Sequence, residues 1–352
     1  MIMHSYSHIF SRINFSLILA LFLGACGGSG SGTDAMNSNN SMQQTQTPGT
    51  MTLPPPVLSF TDTGLSVTDG ITRTGLWRVD APSLEWEFSL DEGVTWTLGV
   101  GTTFEVKGDG AKKIWVRTRD NAGNKSEIVK VSCVLDTMPP AAVTINSEVQ
   151  GVTNSLKLSG IEMGAKWEYA LDAKGPWLQG YGTGLGSLGN GLTSVWLRQV
   201  DVAGNASEPQ IFNLNAPNIL AHEASGNPSQ PSVLALGYQT YLIHGVVLRG
   251  DADYVQWEIP KGQRLVSVKL LQYISEDAIS FYALQPNRIF DAGVDTSKML
   301  VYGHMGPSDL LRNVLTNLPK SQLGEGFMTL WFQQTGTQNT QYAIEVVLAP
   351  TD

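Results

Sequence analysis

Cysteine, histidine and basic charge are all scarce in this 352-residue chain, and each shortage removes a class of function. The only cysteines are Cys26 and Cys133, so no thiol pair accompanies the histidines as a zinc site would require. Beyond residue 25 the histidines are His222, His244 and His304, and none stands in a His-Glu-x-x-His pattern. Lysine and arginine total 22 against 31 acidic residues, a formal charge of −9. No basic stripe exists to neutralise phosphates, which argues against nucleic acid as a partner and against electrostatic docking on anionic lipid. A Gly-x-Ser-x-Gly nucleophile elbow is missing, since Gly186-Ser187-Leu188-Gly189 lacks the spacing. Aspartate and glutamate are scattered among turn positions and are not paired for glycoside hydrolysis. With no catalytic-sized segment left over, the chain is expected not to be an enzyme. Charged residues make up only 15% and glycines number 37, a balance that suits β-rich secreted domains with many tight turns.

Long apolar runs are few as well. The run 13–22 follows Arg12, the only charged side chain before residue 26. It is too short to span a bilayer and reads as the core of a signal peptide. Leu23-Gly24-Ala25-Cys26 follows at once and resembles the bacterial lipoprotein signal. That resemblance implies cleavage before Cys26, acylation of Cys26, and attachment to a membrane through several acyl chains. Gly27 stands where an aspartate would mark retention in the inner membrane, so the resemblance implies the outer membrane, with the surface-facing and periplasm-facing orientations both open. A lipidated Cys26 leaves no partner for a disulfide. Cys133 shares a period-two face with Val129, Val131 and Leu135 and is expected to be a buried core thiol. Segment 1–25 is then the signal peptide. Segment 26–56 is a Gly/Ser/Pro tether expected to stay disordered, with a reach of roughly 30 Å.

What the chain does have is a long internal repeat. Trp86, Trp96, Trp115, Gly123 and Asn124 recur as Trp167, Trp177, Trp196, Gly204 and Asn205, every one at an offset of 81 residues. Asp91/Asp172, Gly101/Gly182 and Asp120/Asp201 fall on the same ruler. A gapless repeat of that length is too long for a solenoid unit and right for a small autonomous β-domain. Short alternating runs at 86–90, 113–117, 167–171 and 195–198 are separated by Gly, Asp and Asn clusters, the pattern of antiparallel sandwiches. One module is therefore placed at 57–138 and a second at 139–216. The repeated tryptophans are expected to be core pieces, with a sugar-stacking platform as the alternative.

The stretches Asp62-Thr63-Gly64, Trp86 to Asp91 with Trp96, and Asp120-Asn121-Ala122-Gly123-Asn124-Lys125-Ser126 resemble the bacterial Ig-like repeats of large surface adhesins. Asp136-Thr137-Met138-Pro139-Pro140 is similar to the linker joining such repeats. The second copy keeps the tryptophans and the Asp-x-Ala-Gly-Asn-x-Ser signature but loses the Asp-Thr-Gly opening. Arg117 and Arg198 stand three residues before Asp120 and Asp201, which suggests a strand-to-turn ion pair. Because related arrays are stiffened by calcium at repeat junctions, the resemblance makes Asp62, Asp69, Asp120 and Asp136 calcium candidates, although no loop has the dense oxygen spacing of a dedicated site.

From 217 to 352 a different β-segment begins. Asp251, Asp253, Tyr254, Pro260 and Gly262 stand in the order found in the pre-peptidase C-terminal family, small jelly-roll-like sandwiches appended to secreted bacterial proteins, and the segment resembles them. Asp251 and Asp253 are further cation candidates. Val255, Trp257 and Ile259 share a face, as do Tyr342, Ile344, Val346 and Leu348. Within 283–325, Leu311, Val314, Leu315 and Leu318 have helical spacing between Ser308 as N-cap and Pro319 as stop, which predicts a short helix closing the sandwich or a recognition loop beside a binding surface.

The expected fold is all-β: two tandem Ig-like β-sandwiches followed by a jelly-roll-like β-sandwich with a short helical insertion. The expected function is that of a non-enzymatic outer-membrane lipoprotein whose modules present the C-terminal sandwich for cell-surface adhesion or for binding an unknown protein or glycan. Two alternatives stay open, an accessory carbohydrate-binding lipoprotein and a periplasmic assembly factor for envelope proteins.

Overall fold

The computed structural model describes residues 52–351 except 82, 83, 217, 218 and 220. The signal segment 1–25, Cys26 and the tether up to residue 51 lie outside the described residues. Within them the chain is all-β, with twenty-three strands, three short 3-10 turns and no α-helix.

The first module contains β1 (Val57–Phe60), β2 (Ile71–Thr72), β3 (Leu76–Asp80), β4 (Glu85–Ser89), β5 (Thr97–Leu98), β6 (Thr103–Glu105), β7 (Gly110–Arg119) and β8 (Val129–Leu135). A three-stranded sheet ordered β1-β3-β6 belongs with a five-stranded sheet ordered β2-β8-β7-β4-β5. Period-two alternation builds its core: Ile114 and Val116 of β7 point inward to Trp77, Trp86, Phe104 and the buried thiol of Cys133.

The second module contains β9 (Thr144–Gln150), β10 (Thr153–Ser159), β11 (Lys166–Ala170), β12 (Leu178–Gln179), β13 (Gly184–Gly189), β14 (Ser194–Val200) and β15 (Gln210–Asn213). Then come β16 (Ser232–Val233), β17 (Thr240–Val247), β18 (Ala252–Ile259), β19 (Gln263–Ile274), β20 (Ser280–Gln285), β21 (Val301–Met305), β22 (Gly326–Gln334) and β23 (Thr340–Pro350). Strands β17 to β20 pass alternately between the order β19-β23-β17 and the order β16-β18-β22-β20-β21, which is jelly-roll interleaving. Trp257, Tyr241, Tyr342 and Phe332 fill the space between the two layers.

One sheet crosses the expected boundary at residue 217. Its six strands run β19-β23-β17-β13-β10-β9, and the link is a parallel pairing of β13 with β17 from Leu185 beside Thr240 to Gly189 beside His244. Strands β17 and β23 are thereby buried on both faces. Tyr241 and Ile243 face the jelly-roll core, whereas Leu242 and Ala343 complete the core of the second module beside Leu156, Trp167 and Leu197. At the end of the seam His244 Nδ1 accepts from the N–H groups of Gly191 and Leu192, both at 3.1 Å. Its Nε2 therefore carries the proton and donates to Ser187 Oγ at 2.9 Å.

The predicted helix within 308–318 is absent, and the fold gives the reason. Leu311 has φ of +66°, which no right-handed helix contains. The open edge of β19 supplies the partners that a helix would have found within itself. Leu311 N–H donates to Leu270 O at 2.9 Å, Val314 N–H to Val268 O at 3.0 Å, and the Asn313 side chain brackets Val266 and Val268. The segment thus lies along the edge of β19 as an irregular addition to that layer. Of its apolar residues Leu315 enters the core, while Leu311 stays exposed.

The repeated signature closes the same turn twice. Asp120 Oδ1 accepts from the N–H of Asn124 at 2.9 Å and its Oδ2 from the Asn124 amide at 2.8 Å. Asp201 and Asn205 repeat this at 2.8 and 2.9 Å. The ion pairs suggested for Arg117 and Arg198 go elsewhere: each stands directly across the ladder from a glutamate and pairs with it, Arg117 with Glu87 at 2.5 Å and Arg198 with Glu168 at 2.7 Å. The surroundings of the two turns differ. The first is exposed, and a Cβ on Gly123 would meet nothing within 4 Å. The second is pressed against the first module, where Arg73 donates to Gly204 O at 2.6 Å and Asn205 to Asp136 O at 2.8 Å. A Cβ on Gly204 would stand 2.3 Å from Thr63 O, so this contact requires glycine.

Three outcomes are expected. Residues 52–216 and 217–352 expressed as separate chains leave Leu242, Ala343 and Leu271 uncovered, so each piece melts below the intact chain. Two pieces that melt as the whole does contradict the shared sheet. Burial lowers His244 from 6.5 to about 4. Its contribution is complete above 6.5 and is lost as pH falls through about 4, a loss of roughly 3 kcal/mol that acid titration of stability would register. Burial raises Asp253 from 3.8 to about 7 despite the hydrogen bond from Tyr342 Oη at 2.6 Å. That contribution is complete below 3.8 and is lost as pH rises through about 7. Asp253→Asn is therefore expected to raise the melting temperature at about pH 8 and to leave it nearly unchanged at about pH 4.

Candidate functional site

The six aspartates singled out in the sequence do not converge. No group of three or more His, Cys, Asp or Glu residues gathers among the described residues. Asp62 accepts from the N–H groups of Gly64 and Gly70, Asp69 from Ile71, Asp136 from Met138, and Asp251 from Ala252. Asp120 closes its turn, and the hydrogen bonds led by the Asn124 side chain hold its carboxyl below the ordinary value. Asp253 is not in a turn at all. It sits on the inward face of β18, buried beside Tyr342.

The repeated tryptophans divide into two kinds. Trp86 and Trp167 are core pieces, and each indole N–H donates to a glycine carbonyl (Gly101 and Gly182) at 2.9 Å. Trp96, Trp115, Trp177 and Trp196 are half-buried and correct the expectation of a common core role. Trp115 alternates with inward-facing Ile114 and Val116, so strand geometry turns it outward, where Lys130 stacks on it at 4.0 Å. Arg117 covers Trp96 at 3.7 Å and Arg198 covers Trp177 at 4.0 Å. Faces already occupied by guanidinium groups are poorly placed to stack a sugar.

A serine and a histidine do meet, at Ser187 and His244, but not as a nucleophile and its base. Both are buried, and the two backbone donors on Nδ1 force the proton onto Nε2. The imidazole therefore donates to the hydroxyl and cannot accept its proton. The pair fastens the seam.

The open site is on the outward face of β18, β22, β20 and β21. Inward positions on these strands carry Val255, Phe332 and Tyr282, so the outward ones would be expected to be polar. Instead Tyr254, Trp331, Ala283 and Tyr302 stand side by side across four strands, and Phe281 and His304 lie in the next row beside Gln333. Trp331 packs edge-on to Phe281 with ring centroids 4.7 Å apart. The connection between β20 and β21 folds back over one side of this row. Buried Gln285 holds it down by accepting from the N–H groups of Asp291 and Ala292, both at 3.1 Å. Phe290, at its centre, packs on Tyr254 and Trp331 at 5.7 and 5.2 Å.

The other side stays open as a cleft of 310 Å³. Phe281 and Trp331 line it, Val294 and Met299 of the folded-back connection face them, and half-exposed Tyr302 stands beside Met299. Polar groups at the cleft come from Gln333, Thr335 and Thr296, and no charged side chain lines it. Gln333 accepts from Trp331 Nε1 at 3.1 Å, which fixes the indole and leaves the amide nitrogen to donate. Segment 283–325, which contains Tyr302, stands out in the sequence, but Phe281, Trp331 and Gln333 lie outside it. Their signal is an aromatic at alternate positions where a half-buried strand should turn polar.

No protein-family model matches the chain, and no curated protein matches it. Solved structures similar to it include a carbohydrate-binding module of the β-sandwich superfamily with promiscuous specificity, at 9% identity over 85% of this chain and 93% of that one, with a TM-score of 0.20. A structure with a xylogluco-oligosaccharide is similar at 12% identity over 85% and 80%, TM-score 0.24. The FN1–FN3 domains of chicken CNTN1 are similar at 11% identity over 83% and 92%, TM-score 0.19.

Proposed function

We propose that the chain is a non-enzymatic binding protein that holds neutral glycans in the Phe281–Trp331 cleft, anchored to a membrane through acylated Cys26. The observation that carries this reading is a set of aromatics on the outward face of a sheet, exposed at Tyr302 and half-buried at Phe281 and Trp331, bordered by amide and hydroxyl groups and free of lining charge. Sugar rings present apolar C–H faces and a polar rim. Aromatic rings with a few convergent polar groups complement both at once. Rings whose hydroxyls are all equatorial offer the most continuous C–H face, which favours β-linked glucans over uronic acid polymers.

The intact protein is expected to be retained on insoluble cellulose, with little change between low and molar salt because no ion pair is formed. Tyr302→Ala and Trp331→Ala weaken retention about tenfold, equivalent to ~1.4 kcal/mol. Tyr302 is half exposed, so its removal leaves the core intact. Retention indifferent to both changes sinks the glycan reading. Anchoring is tested separately: Cys26→Ser should move the protein from the membrane pellet to the soluble fraction, and a variant that stays in the pellet refutes acylation as the anchor.

A further inference from the structure

We infer that the cleft is one end of a longer groove that takes several residues of a neutral β-glucan chain. This inference rests on the glycan reading and extends it from a single ring to a polymer. Two further hollows follow from the cleft in turn. The first, of 410 Å³, shares Met299 with it and continues past Lys298 to Gln322. The second, of 320 Å³, shares Pro286 and Gln322 with the first and ends at Phe327. Each alone is at the small end for a ligand site, and shared walls make them a series.

The two ends are both aromatic. Phe327 and Trp331 stand on the outward face of β22, four residues apart, a separation of about 13 Å. A ligand that touches both is longer than one pyranose ring. The guanidinium of Arg288, 3.8 Å from the Phe327 centroid, covers one face of that ring, and the rest of the ring still lines the second hollow. The connection between the ends is fixed as well. Asn287 O accepts from Thr329 Oγ1 at 2.7 Å, and Asp295 caps the 3-10 turn Thr296–Lys298 that stands between the first two hollows.

Charge selects the class of polymer. Lys298 is 3.9 Å from Asp291, and Glu325 and Arg288 flank the far end, so the charges along the groove cancel. A neutral chain meets no repulsion along it, and a polyanion gains nothing overall.

Calorimetric titration of the intact protein with cellobiose and cellohexaose tests the groove. Cellohexaose is expected to bind more than tenfold tighter than cellobiose. Gln322→Ala and Phe327→Ala should each remove most of that gain while leaving cellobiose affinity unchanged. Equal affinities for the two sugars, or a gain that survives both substitutions, overturn the groove but leave the cleft standing as long as Tyr302→Ala still weakens binding. Binding of neither sugar overturns the glycan reading and the groove with it.

Discussion

The pairing of β13 with β17 is the constraint on which the C-terminal half depends. It joins a three-stranded layer of the second module to the β17, β23 and β19 layer of the jelly roll, so that one sheet serves two sandwiches. A strand in such a sheet must present apolar groups on both faces, and β17 and β23 are correspondingly buried at nearly every position. Close approach also dictates the sequence of β13. A Cβ on Gly189 would fall 1.5 Å from His244 O, so this edge could not pair as it does with an ordinary side chain there. Buried polar groups then complete the join: the Thr240 hydroxyl accepts from Tyr181 N–H at 2.8 Å, Thr153 from Ala235 N–H at 2.9 Å, and Ser187 bonds to His244. Apolar contact alone would tolerate sliding, whereas hydrogen bonds at both ends of the seam fix its register.

Duplication gave two copies of one turn and then two uses for it. The bonds inside the turn agree to about 0.1 Å between Asp120 and Asp201, so the turn forms without help from its neighbours. In the second module the same turn becomes a plug: Leu65 N–H donates to Val202 O at 3.0 Å and Thr63 Oγ1 to Ala203 O at 3.3 Å. The socket is the Asp62-Thr63-Gly64 loop, which the second copy lacks. The module that docks backward onto the first has the jelly roll attached along β13.

Much of this was legible from residue patterns. Alternation identified the inward faces of β18 and β23, and it placed Cys133 in the first core, because a sheet with one dry face imposes a period of two. The 81-residue offset located the repeated turn. Failures arose where a distant partner overrode a local pattern. Leu311, Val314, Leu315 and Leu318 satisfy a helical period, but the unpaired edge of β19 offers hydrogen bonds that a four-residue pattern cannot anticipate. Arg117 is near Asp120 in sequence and faces Glu87 in space. The seam itself left no periodic mark, since a glycine-rich run reads as loop until its neighbour is known. The outward aromatics are hard to tell from core rings in the sequence for a related reason: Trp331 and Phe332 are adjacent, and only the pleat separates core ring from surface ring.

The seam also decides which face is left to carry recognition. In the jelly roll, the layer built from β17, β23 and β19 is covered on its outer side by the second module and, along its edge, by the Leu311–Leu315 stretch. Only the opposite layer has an unclaimed outer face, and that is where Phe281, Tyr302 and Trp331 lie. Leaving such rings in water sacrifices burial worth about 25 cal/mol per Å², so a face with no recognition role would be expected to carry polar groups at these positions. The connection between β20 and β21 covers Tyr254 and half of Trp331 and then stops, although Gln285 holds it firmly enough to have covered the rest. A wall that is anchored yet leaves the adjoining rings open shapes a cleft, and the tandem modules behind it set where that cleft is held.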